Sequence, residues 1–127
     1  SGFTQIGLVP DAGMNHTLVR HLGYSKAIEF SLFGKALMSE EMQKYNLINT
    51  IDENYLDKAL EMSTSINKLA PLSVKILKRN LKHALDASFD EVISREVGAQ
   101  RFLGFSKDYK EGVSAFFEKR SPEFKGE

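Results

Sequence analysis

Few side chains in this sequence stand where chemistry could be done, and the first of them is Asp11. The apolar run from Phe3 to Val9 meets Pro10, whose fixed φ and missing N–H stop a strand, and Gly13 allows a tight turn two residues after Asp11. Read as strand, turn and helix start, the stretch puts a carboxylate where a sheet edge meets a helix N-terminus. A carboxylate there has two uses. It can cap the helix, accepting a first-turn N–H at the positive end of the dipole, or it can serve as a general base held by backbone on both sides. Spacing alone favours the cap and leaves the base open.

The remaining reactive side chains form no constellation. His16 and His21 are five residues apart rather than i, i+4, and no nearby acid completes a metal set. His83 lies beside a basic helix face, so all three histidines read as structural or solvated and no metal is expected. There is no Gly-x-Ser-x-Gly turn for a serine nucleophile and no glycine loop for phosphate. Cysteine is absent, which excludes disulfides, thiolate metal sites and cysteine nucleophiles from this chain and is compatible with a reducing compartment.

The elements that must position these residues are mostly helical. His16 to Leu22 carries Leu18, Val19 and Leu22 at helical spacing and stops at Gly23; Ser25 is placed to cap a second short helix, Lys26 to Phe33, ended by Gly34. Ser39-Glu40-Glu41 opens a third, which Asn46 closes. Leu47 to Ile51 is a brief strand or an extended connector. From Glu53 a long helix presents Leu56, Ala59, Leu60, Met62, Ile66 and Leu69 and ends before Pro71, which fits the first turn of the next helix. There Leu77, Leu81, Ala84 and Leu85 face inward, opposite Lys75, Lys78, Arg79 and Lys82.

Ser88 and Glu91 match a capping box, and Ser106 caps a last helix with Tyr109, Gly112, Val113 and Phe116 on one face. The charged tail from Glu118 onward reads as surface. The fold class is thus mainly α, a short N-terminal strand and turn followed by about seven helices. The 127 residues suffice for a single core, and no repeat, low-complexity segment or linker divides them. Seventeen basic residues balance seventeen acidic ones, so nothing recruits nucleic acid or an anionic membrane, and the basic helix face reads as solvated. No apolar run approaches the roughly twenty residues of a bilayer span.

Three of these stretches carry a resemblance. Ile6-Gly7-Leu8-Val9-Pro10-Asp11-Ala12-Gly13, Gly34-Lys35-Ala36-Leu37-Met38-Ser39-Glu40-Glu41, and the run from Lys110 to Phe124 that contains Ala115-Phe116-Phe117-Glu118-Lys119-Arg120 resemble successive signatures of the crotonase superfamily, the enoyl-CoA hydratases and isomerases. The resemblance runs along essentially the whole chain and implies the C-terminal half of such a protein. On that footing residues 1–52 are the end of the crotonase α/β spiral core and 53–127 its C-terminal helical assembly region.

The resemblance also implies chemistry. Crotonases polarise a thioester carbonyl with two backbone N–H groups, a large source of stabilisation for an enolate-like intermediate, and in the family both donors lie upstream of the part represented here. Little or no activity is therefore expected of this chain alone. Hydratases use two glutamates, and the second corresponds here to Phe3, which cannot move a proton. Several isomerases place one acid where Asp11 stands, so Asp11 is the expected proton shuttle of a double-bond isomerase, the alternatives being a hydratase-like protein or a non-catalytic helical self-assembly module.

The same resemblance implies that Phe116 and Lys119 hold the adenine end of coenzyme A, by ring stacking and phosphate pairing; otherwise Phe116 is core and Lys119 solvated. No permanently bound cofactor is implied, the coenzyme A thioester being the substrate, and full-length relatives form trimers or dimers of trimers. Met14-Asn15-His16 departs from the family, which continues with a second glycine and a small hydroxyl residue. Cytoplasm is the default location, with organellar targeting by an upstream segment left open.

Overall fold

Past its first dozen residues the described chain is mostly helical, and several of its helix ends are set by identifiable local devices. A computed structural model describes residues 2–34 and 36–127. Ser1, and Lys35 within the Gly34–Glu41 motif, lie outside the described residues. A 3-10 turn, Phe3–Ile6, is followed by α1 (Met14–Phe33), α2 (Ser39–Lys44), α3 (Tyr55–Asn67), α4 (Pro71–Ala84), α5 (Phe89–Gly104) and α6 (Lys107–Glu118). They fall in two compact units, Ser1–Tyr55 and Leu56–Glu127.

The expected strand over Phe3 to Val9 is not formed. A strand must pair its N–H and C=O groups with a neighbour, and no strand exists among the described residues to supply one. The backbone is satisfied locally instead: Gln5 N–H donates to Gly2 O at 3.2 Å and Leu8 N–H to Phe3 O at 2.9 Å. The Thr4 hydroxyl donates to Ser31 O at 2.9 Å and ties this turn to α1. Leu47 to Ile51 likewise forms bends and irregular backbone, the connector of the two readings.

Gly23 breaks α1 as its position predicts, but the break is one residue wide, so Ser25 lies inside the helix rather than capping it. At φ 72° and ψ 162° Gly23 occupies backbone space essentially closed to other residues. A Cβ there would meet nothing within 4 Å, so the cost of adding one is conformational alone. Gly23→Ala is expected to destabilise the protein by about 1 to 3 kcal/mol, measured as a shift of the denaturant midpoint; an unchanged midpoint would mean that the helix straightens without penalty.

Helix ends elsewhere follow the sequence closely. Ser88 and Glu91 complete the capping box, Ser88 N–H donating to Glu91 Oε2 at 2.8 Å and Glu91 N–H to Ser88 Oγ at 3.4 Å. Tyr109 N–H donates to Ser106 Oγ at 3.0 Å, and Pro71 occupies the first turn of α4. Asn46, at φ 55°, closes α2, its N–H reaching Gln43 O while Leu47 N–H reaches Met42 O. Ser39 is the exception: Met38 is the cap position, and the Ser39 hydroxyl donates to Glu40 instead.

The length suffices for a single core, but the described residues bury little apolar surface. Among the described residues the buried apolar ones are Pro10, Leu18, Ala27 and Ala115. The apolar faces exist where the periodicity puts them, but they are uncovered: every residue of α3 except Lys58 is exposed, and Leu77 and Leu81 of α4 are 56% and 61% exposed. In the second unit α4 packs on α5 and α5 on α6. No helix among the described residues is long and apolar enough to cross a membrane.

Candidate active site

Pro10 is buried and Asp11 follows it, so the chain is anchored immediately before the carboxylate. Ala12 and Gly13 then take two consecutive left-handed conformations, φ 50° and 79°, and Met14 N–H closes the turn on Asp11 O at 2.8 Å, the pattern of a type I′ turn. Gly13 adopts this backbone freely; Ala12 pays about 1 to 2 kcal/mol for it. Strain of this kind persists only where the surroundings over-determine it. Asn15 is part of those surroundings, its Nδ2 donating to Pro10 O at 2.9 Å across the turn.

The capping reading of Asp11 is therefore overturned. The residue capping α1 is Gly13, no side chain caps the helix, and the Asp11 carboxylate is exposed. Sequence reasoning treated Met14-Asn15-His16 only as a departure; it missed that an amide at position 15 replaces a helix-start hydroxyl with a staple across the turn.

Phe116 and Lys119 lie together at the end of α6 in the second unit, whereas Asp11 belongs to the first. Phe116 is 78% exposed and is not core among the described residues; its ring meets that of Phe117 edge-on at 5.7 Å. It lines a cleft of about 1350 Å³ between α4, α5 and α6, whose walls are apolar (Leu77, Leu81, Ile93, Val97, Val113) with Asn80, Glu96 and Gln100 interspersed. The face predicted from Tyr109, Gly112, Val113 and Phe116 lines this cleft, open rather than covered. Lys119 is exposed and takes a left-handed backbone, φ 54° and ψ 39°, with its N–H on Phe116 O at 3.3 Å.

The tail beyond α6 lies at the surface as its charge predicts, and it is also tied back onto α6 as a strap. Asp108, 4% exposed, accepts the backbone N–H groups of Lys125 at 2.7 Å and Gly126 at 2.8 Å, while its own N–H donates to Glu127 O at 3.1 Å. Phe124 lies over Gly112, where a Cβ would come within 3.4 Å of its ring. Glu111 receives the Arg120 guanidinium on both oxygens, at 2.5 and 2.9 Å, and the Glu123 N–H at 2.9 Å.

That guanidinium, then the Glu123 N–H, hold the Glu111 carboxyl down at about 2. With its folded-state value below the ordinary carboxylate range, Glu111 stabilises the strap fully above that range and ceases to only as the pH falls through about 2. Sequence reasoning missed Asp108 and Glu111. Asp108 reads as an ordinary first-turn acid, and the nine-residue separation of Glu111 and Arg120 matches no local rule.

The profile described as enoyl-CoA hydratase/isomerase matches residues 1–127. The chain belongs to the enoyl-CoA hydratase/isomerase family. Among relatives of this family, 1,2-epoxyphenylacetyl-CoA isomerase of Escherichia coli K12 is 32% identical over 98% of this chain and 48% of its own length. The 2,3-dehydroadipyl-CoA hydratase of the same organism is 28% identical over 95% and 48%. The crystal structure of an enoyl-CoA hydratase from Bacillus anthracis superposes with a TM-score of 0.87 at 28% identity, covering 98% of this chain and 49% of that one. The chain thus spans about half the length of the family members it matches, and its mainly α architecture is that of the corresponding part of the crotonase fold.

Proposed function

We propose that this chain is the C-terminal part of an enoyl-CoA double-bond isomerase in which Asp11 shuttles the proton. The observation that carries the proposal is the Asp11 turn itself: an exposed carboxylate, unused as a cap, on a strained and stapled backbone. The substrate class is a coenzyme A thioester. Asp11 takes a proton from carbon on one side of the double bond, the π electrons shift along the chain, and the same carboxyl returns the proton at the far carbon, so that nothing is added or lost. Phe3, where the resemblance places a hydratase glutamate, leaves no second carboxylate to deliver water and supports isomerisation over hydration.

In this reading residues 1–52 close the crotonase core and 53–127 form the helical assembly region, its exposed apolar faces serving a homo-oligomer, a trimer or dimer of trimers. Phe116 and Lys119 hold the adenine end of coenzyme A. In this reading the donors that polarise the thioester come from an upstream segment, so the 127-residue chain alone has little or no activity. A second reading, a non-catalytic helical self-assembly module, is favoured by those same uncovered faces.

One assay separates the readings. Full-length protein given a 3-enoyl-CoA is expected to produce the conjugated 2-enoyl-CoA, seen as rising ultraviolet absorbance, and to leave 2-enoyl-CoA unhydrated. Rapid hydration of the 2-enoyl ester would make it a hydratase. Inertness toward both esters would favour the assembly module.

A further inference from the structure

Lys119 pairs an unusual backbone with a side chain that no described residue engages. A left-handed lysine costs about 1 to 2 kcal/mol relative to the glycine that normally ends a helix this way, and its N–H and that of Arg120, on Phe116 O at 3.3 Å and Ala115 O at 3.0 Å, complete the helix-ending pattern without needing a lysine. What holds position 119 is on either side of it. Arg120 Nε donates to Glu118 Oε2, so one guanidinium bridges the residues flanking Lys119, and its two terminal nitrogens grip Glu111 one helical stretch back. Glu111 in turn accepts the Glu123 N–H, which closes the strap over the helix end.

Resting on the reading that Lys119 meets the phosphates of coenzyme A, we propose that Glu111 and Arg120 are positioning residues: their bidentate pair fixes the left-handed turn so that the Lys119 ammonium is pre-organised for the phosphate groups of the nucleotide. The lysine stem is flexible, so fixing the backbone at its base removes in advance one part of the ordering that binding would otherwise cost. Neither Glu111 nor Arg120 touches the ligand in this scheme. Both act through Lys119.

The test is calorimetric titration of the full-length protein with coenzyme A, with thermal melts to confirm folding. Glu111→Gln, and Arg120→Lys as the variant that keeps the charge and loses the fork, are each expected to weaken binding about 3- to 10-fold, within the scale of fixing one residue's backbone. Lys119→Ala weakens it too, and Glu111→Gln added to Lys119→Ala produces no further loss. If Lys119→Ala weakens binding but the other two variants do not, or if their losses persist undiminished in the Lys119→Ala background, the positioning role is overturned and the phosphate contact stands. If Lys119→Ala leaves binding unchanged, the phosphate contact itself fails and the positioning role falls with it.

Discussion

Asp11→Asn in the full-length protein is expected to lower isomerisation by about 10³-fold, within the range that one positioned acid–base group supplies, while leaving coenzyme A affinity intact. The substitution is nearly isosteric, and the Asp11 carboxylate makes no cap that its loss would undo. The turn is held through backbone: Met14 N–H on Asp11 O, and the Asn15 amide on Pro10 O, neither of which involves the side chain of residue 11. A drop in kcat with unaltered coenzyme A titration therefore reports proton transfer rather than misfolding. Asp11→Glu is informative beside it, because an added methylene moves the carboxylate about 1 Å and misplacement of that size costs on the order of 10²-fold. Undiminished turnover in Asp11→Asn would remove Asp11 from the mechanism.

Asp108→Ala is expected to cost about 2 to 6 kcal/mol, because it orphans two N–H groups held by a buried carboxylate and each such loss is worth about 1 to 3 kcal/mol. The lower end applies if the strap peels away and its Lys125 and Gly126 N–H groups find water. Either way the segment that lays Phe124 over Gly112 is released. Thermal denaturation of the full-length variant gives the energy, and hydrogen exchange at the Lys125 and Gly126 amides gives the place. Asp108→Asn, which keeps one acceptor oxygen, should fall between. Retained amide protection in Asp108→Ala would show that Phe124 and the Glu111–Arg120 pair secure the strap by themselves.

What was legible in the residues divides along a physical line. Helices, and nearly all of their ends, depend on contacts within a few residues: the Ser88–Glu91 box, Ser106, Pro71 and Asn46 are local devices and could be read directly. The strand at Phe3 to Val9 could not, because a strand is a relation between two segments and its apolar residues predict a partner without supplying one. Burial failed for the same reason. Leu77 and Leu81 sit on the apolar face that the period assigns them, yet a period names the face and not what covers it. At the candidate site, Asp11 was visible from the turn around it, whereas Asp108 and Glu111 act on backbone donors more than ten residues away and left no spacing to find.

The order in which the second unit packs has a kinetic consequence. Its helices α4, α5 and α6 meet neighbours in sequence, so their docking closes only short loops and belongs to the fast regime of microseconds to milliseconds. The cleft they line is then complete early, with Leu77, Leu81 and Phe117 more than half open to water. During synthesis or refolding this apolar surface is exposed to other chains, the condition under which aggregation competes with folding.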